Sequence, residues 1–169
     1  MLCDGHDIAG SKDDSNSMWL IKEASTAKSG CEVGVPIKCG DQLRLEHIGT
    51  GKNLHSHSFR APLSGNQEVS AFGESGKGDT GDNWKIACEA GESFWRRGVP
   101  MEFVHVDTSK YLYSSETTKF TVSNCGQGCP IMGQNEVSAG GKKDAKVRWV
   151  TGQGVYFPPK TDMDSKEEL

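Results

Sequence analysis

The sequence predicts an all-β chain, and three observations carry that prediction. Glycine accounts for 21 of 169 residues, which favours frequent turns over long helices. Apolar residues alternate in short runs, and no stretch of ~11–18 residues sustains the stripe of an amphipathic helix. The third observation is duplication, because a fixed period in a sequence means a repeated structural unit.

The duplication is direct. Gly65-Asn66-Gln67-Glu68-Val69-Ser70-Ala71-Phe72-Gly73 returns as Gly133-Gln134-Asn135-Glu136-Val137-Ser138-Ala139-Gly140-Gly141. Leu43-Arg44-Leu45-Glu46-His47, followed by Thr50, Lys52, Leu54 and Ser56, is echoed by Met101-Glu102-Phe103-Val104-His105 with Thr108, Lys110, Leu112 and Ser114. A tryptophan recurs at Trp19, Trp84 and Trp149, a constant spacing of 65.

Taken in order, residues 1–26 read as the tail of a first unit, with Ile8 ahead of Trp19 much as Val137 is ahead of Trp149. A full first copy needs about 45 further residues ahead of Met1. Residues 25–34 are a connector of small residues. The second unit, 34–89, alternates over 42–48, with Leu43, Leu45 and His47 on one side and Gln42, Arg44 and Glu46 on the other. Gly49-Thr50-Gly51 turns the chain into a second strand over 52–57. Strands over 67–72 and 83–88 complete four. The third unit, 90–155, repeats the plan over 100–106, 110–115, 135–139 and 146–151, with an insertion at 116–132 placed on the surface. Residues 158–169 read as a disordered acidic tail.

Three four-stranded units fit a β-trefoil with a truncated first repeat, which leaves a strand edge without its partner. Its core is expected to hold Trp19, Trp84, Trp149, Leu43, Leu45, Leu54, Phe103 and Leu112. A propeller needs at least about four blades.

A net charge of −4 with both signs interspersed offers no basic face for a phosphate backbone, so nucleic acid is excluded as a partner class. No apolar run reaches the ~20 residues of a membrane span, and the N-terminus lacks the layout of a secretory signal.

His55 and His57 share one strand face, the spacing two metal ligands use, but no third ligand is signalled and packing is the simpler reading. His47 and His105 hold matched inward positions, as core histidines bonded to a turn. Gly76-Lys77-Gly78 fails as a phosphate loop, because Ala71 and Gly78 stand where a glycine and a hydroxyl are required. Glu68 and Glu136 are matched carboxylates, expected to cap turns rather than form a catalytic pair. No catalytic residue, cofactor or metal site is expected. Six cysteines permit several pairings. Cys39 with Cys88 joins the two ends of the second unit, with Cys31 a competitor; Cys125 with Cys129 closes a tight loop, and Cys3 has no evident partner. The last residues, Lys166-Glu167-Glu168-Leu169, differ by one methylene from a lysine–aspartate–glutamate–leucine retention signal.

Pro36-Ile37-Lys38-Cys39-Gly40, Leu54-His55-Ser56-His57, the run from Pro62 to Gly73 and Asp82-Asn83-Trp84 closely resemble the stromal-cell-derived factor two family of MIR-domain proteins. The resemblance covers nearly all of residues 13–157. It implies a β-trefoil of MIR repeats in the endoplasmic reticulum lumen, a localisation that requires a signal peptide upstream of Met1. It also implies a non-enzymatic chaperone accessory, associated with a luminal Hsp40 co-chaperone and Hsp70 and helping to keep misfolded clients soluble. MIR repeats occur also in protein O-mannosyltransferases. The alternative is a glycan-binding trefoil, with Trp95, Tyr111 and Tyr113 as stacking surfaces.

Overall fold

The computed structural model describes residues 6–7, 18–31, 34–141, 143–151 and 154–155. Its strands are β1 (His6–Asp7), β2 (Trp19–Glu23), β3 (Gln42–His47), β4 (Lys52–Arg60), β5 (Gln67–Phe72), β6 (Trp84–Cys88), β7 (Met101–His105), β8 (Tyr111–Lys119), β9 (Asn135–Gly140) and β10 (Gly154–Val155). Among the described residues, one short helix, α1 (Val122–Cys125), and two 3-10 turns, Thr80–Asp82 and Ala145–Val147, interrupt them.

The strands form one antiparallel sheet in the order β10-β1-β2-β3-β4-β5-β9-β8-β7-β6, and a further pairing of β3 with β6 closes seven of them into a barrel-like ring. Closure removes the free edges from those seven strands. The seam is short: only Gln42 with Lys85 and Leu43 with Trp84 are in register across it. Inside lies a cluster of Ile21, Ile37, Leu43, Leu45, Leu54, Trp84, Ile86, Trp95, Met101, Phe103, Leu112 and Ala139, with Trp19, Val69, Cys88 and Trp149 packed against it.

The duplicated segments make equivalent contacts. Trp84 donates its indole N–H to the carbonyl of Leu54 at 2.9 Å, and Trp149 donates to the carbonyl of Leu112 at 2.9 Å. Trp84 meets the His105 ring at 5.0 Å between centroids and 56°, and Trp19 meets the His47 ring at 5.1 Å and 59°. The indoles of Trp84 and Trp149 thus satisfy their one donor on a strand carbonyl. The turn after β3 is set by Gly51, whose φ of 63° lies in the left-handed region and whose N–H reaches the carbonyl of His47 at 2.8 Å.

Three expectations are corrected. Arg44, expected on the outer side of β3, is only 8% exposed, because β2 and the 73–78 loop cover it; Nε donates to the carbonyl of Glu23 at 2.8 Å and Nη1 to that of Gly76 at 3.1 Å. Those bonds satisfy a cation that would otherwise be costly to bury. β4 and β8 run on to Arg60 and Lys119, so the start of the 116–132 insertion is strand. Residues 146–151 are not a strand: Asp144 caps the turn Ala145–Val147 through a bond from Lys146 N–H, and Trp149 forms only an isolated bridge with Met101. β6, at the matching place, is held between β3 and β7, whereas Trp149 is bridged on one side alone among the described residues. Most of the first unit and the 158–169 tail, with Lys166, Glu167, Glu168 and Leu169, lie outside the described residues.

Candidate functional site

The densest polar construction lies where β4 passes the turn Thr80–Asp82. Asp79 caps that turn: its Oδ1 accepts from Gly81 N–H at 2.9 Å, and Asp82 Oδ2 accepts from Asp79 N–H at 2.8 Å, a reciprocal pair that fixes both carboxylates. Asp82 is fully buried. His55 reaches it from β4, with Nδ1 2.9 Å from Asp82 Oδ1 and 3.6 Å from Asp79 Oδ1. Burial pushes the Asp82 carboxyl above its usual range, against the opposing pull of the His55 hydrogen bond and the bond from Asp79 N–H.

His105 sits on the other side of the same turn. Its Nε2 is 3.0 Å from the carbonyl of Gly81 and its Nδ1 2.8 Å from the Thr108 hydroxyl. A carbonyl only accepts, so Nε2 carries the proton and Nδ1 accepts from Thr108. Burial holds its pKa below the ordinary histidine value. Nearby, Thr80 donates to Asp107 at 2.8 Å. His47 makes the corresponding turn contact, 2.9 Å from Thr50 Oγ1.

His55 and His57 do lie side by side, 5.4 Å between ring centroids, but their partners differ. His57 faces Glu68 at 3.5 Å on an open surface, where such a pair adds little stability. The third group that the sequence did not signal is the pair Asp79 and Asp82. A comparison of the duplicated segments carries the missing signal: Asp79 corresponds to Asp144, whereas Asp82 corresponds to Val147 and His55 to Tyr113.

The two matched glutamates also part company. Glu136 is 4% exposed and takes both oxygens to one turn, accepting from Leu63 N–H at 2.6 Å and Ser64 N–H at 3.1 Å. Glu68 makes the exposed histidine contact instead. A separate cleft of about 570 Å³ lies between the end of β6 and the 143–148 segment. Glu102, Lys143, Glu89 and Arg148 line it. Lys143 approaches Glu102 at 3.1 Å, a contact that raises the lysine pKa, and Arg148 pairs with Glu89.

Two disulfides among the described residues fix loops. Cys39 and Cys88 are bonded across the seam of the ring, and Cys125 and Cys129 close the loop after α1. Cys31 does not compete for Cys39, since it is itself disulfide-bonded outside both pairs. Cys3 lies outside the described residues. Trp95 is 1% exposed and packs edge-on against Phe103, so it offers no stacking surface to a sugar. Tyr111 and Tyr113 are half-buried, with Lys146 5.8 Å from the centre of the Tyr113 ring. No helix among the described residues is long and apolar enough to cross a membrane.

A ring of antiparallel strands with capped turns, indoles anchored on strand carbonyls and disulfide-tied loops defines an all-β, barrel-like domain. The MIR domain family matches residues 6–96, more than half of the chain. Stromal cell-derived factor 2-like protein 1 from Mus musculus is 41% identical over 153 residues, which span 90% of this chain and 64% of the relative. The crystal structure of the SDF2-like protein from Arabidopsis thaliana superposes with a TM-score of 0.77 at 35% identity, covering 92% of this chain and 80% of that one. The yeast protein O-mannosyltransferase Pmt1-Pmt2 complex shares the fold alone, with a TM-score of 0.67 at 22% identity over 94% of this chain and 25% of that one. The chain belongs to the stromal cell-derived factor 2 family of MIR-domain proteins.

Proposed function

We propose that this chain is a non-enzymatic accessory to protein folding in the endoplasmic reticulum lumen, which binds a luminal Hsp40 co-chaperone alongside the luminal Hsp70. The observation that carries the reading is its membership of the stromal cell-derived factor 2 family, with similarity along nearly the whole chain. Two disulfides among the described residues suit an oxidising compartment. The paired contacts of Trp84 and Trp149, and of Trp19 and Trp84, support a β-trefoil of MIR repeats in which loops between strands are free to dock.

Side-chain chemistry agrees with a binding role. A hydrolase of sugars needs two carboxyls facing one bond. Here Glu136 is 4% exposed with each oxygen accepting a backbone N–H, and Glu68 lies on the open surface against His57, an arrangement that supports structural roles for both. Co-purification with a luminal Hsp40 from cells tests the proposal. Recovery of the pair under conditions that keep the disulfides intact supports it, and absence of the Hsp40 from the recovered material refutes it.

A further inference from the structure

We propose that His55, Asp79 and Asp82 form a binding site for a divalent first-row cation, with zinc the best match to the donors. The proposal is independent of the chaperone reading. One imidazole nitrogen and two carboxylate oxygens, one from each residue, all lie within 4.8 Å of one another. Zinc–ligand bonds of about 2.0–2.2 Å in a tetrahedron put neighbouring donors roughly 3.3–3.6 Å apart. The observed separations from His55 Nδ1 are 2.9 Å to Asp82 and 3.6 Å to Asp79, which bracket that spacing. Small shifts suffice to admit an ion.

The cluster is built rather than accidental. Asp82 is fully buried and His55 is 8% exposed, so those two donors are held by packing, while the exposed Asp79 is held by the bond it accepts from Gly81 N–H. Asn53, also fully buried, sets its amide nitrogen 3.4 Å from Asp82 Oδ2, while its Oδ1 has no hydrogen-bond partner. The amide that faces Asp82 is therefore only half satisfied, a costly arrangement for a buried polar side chain. Two glycines make room: a Cβ on Gly78 would stand 1.7 Å from Asp82 Oδ2, and one on Gly81 would stand 2.4 Å from His55 Cε1.

The duplicated segment shows that the fold does not demand this arrangement. Where the second unit has His55, Gly78, Gly81 and Asp82, the third has Tyr113, Lys143, Lys146 and Val147, and it keeps only the capping aspartate, Asp144. The residues that supply or accommodate the donors are among those that change. Access is available as well, because Asp79 and Gly78 line an open cleft beside Phe72 and Lys77. The exposed side of the triad leaves room for water as the remaining ligand, as an open zinc site requires.

Zinc chloride titrated calorimetrically into the full chain, with disulfides intact and prior dialysis against a chelator, tests the site. One saturable equivalent is expected, together with a zinc-dependent NMR shift of the His55 ring. Two variants locate it. His55→Gln removes the nitrogen donor, and Asp79→Ser removes a carboxylate while keeping an oxygen that caps the turn, so the second variant stays folded. Each is expected to weaken binding by more than the ~10–100-fold that loss of an outer-shell partner costs a metal site. His57→Gln is expected to leave binding unchanged. Absence of saturable zinc binding by the unmodified chain overturns the proposal, as does binding that survives both His55→Gln and Asp79→Ser.

Discussion

Removing the disulfide at the seam should be the most destabilising change outside the core. Cys39 and Cys88 are separated by 49 residues, and they tie the chain ahead of β3 to the end of β6. The ring is closed there by two residue pairs in register and by bonds from Gly40 N–H to Ile86 and from Ile86 N–H to Asp41, so the covalent link reinforces a short join. A closed loop of 49 residues restricts the unfolded chain by about 4 kcal/mol in the chain-entropy model. Alanine at both positions avoids a stray thiol and removes that restriction. With a urea dependence of about 2 kcal/mol per molar, the unfolding midpoint should fall by about 2 M. Tryptophan fluorescence across a urea series measures it, and hydrogen exchange at Trp84 and Lys85 should accelerate before that of β8 and β9. A midpoint displaced by less than about 0.5 M at unchanged slope would refute the view that this bond holds the ring shut.

Three further outcomes follow from named contacts. Glu136→Ala strips two charge-assisted acceptors from Leu63 and Ser64 N–H and should cost about 2–4 kcal/mol, whereas Glu68→Ala, on an exposed histidine pair, should cost less than about 0.5 kcal/mol; chemical denaturation separates them. Trp84→Phe should destabilise by about 2–4 kcal/mol in the same assay, because a fully buried indole loses both volume and its bond to Leu54, and Trp149→Phe by less, since Trp149 is only partly buried. His105 is held neutral by burial, with Asp107, Asp82 and His55 as its charged or titratable neighbours. Its folded pKa lies below its unfolded value of about 6.5, so its contribution to stability is complete above that pH and is lost as pH falls toward the folded value. Thermal melts from pH 7.5 to 5 should show the loss, and His105→Gln should flatten that part of the profile.

The fold class was legible because strand alternation and duplication are local features of the chain. Leu43, Leu45, Leu54, Phe103 and Leu112 lie in the core because each occupies the inward side of a two-residue period. Arg44 was not legible, since its burial depends on Gly76, 32 positions away, crossing over it. The 146–151 segment misled for a related reason: only its tryptophan matches β6, its first residues fall in a turn that repeats Thr80–Asp82, and a strand persists only where neighbours take up its backbone bonds. The His55 cluster was half visible. Spacing exposed the two histidines, while Asp79 and Asp82 come to His55 through a turn whose path no periodicity predicts. The difference between Asp82 and Val147, weighed as a departure from the duplication, would have pointed to it.

The proposed role turns on one interaction, and purified components measure it most directly. The full-length protein with its disulfides formed, titrated against an immobilised luminal Hsp40 co-chaperone, should give saturable binding that is lost when the ring is unfolded by combined reduction and denaturation. Failure of the folded protein to bind at any concentration reached would contradict the account.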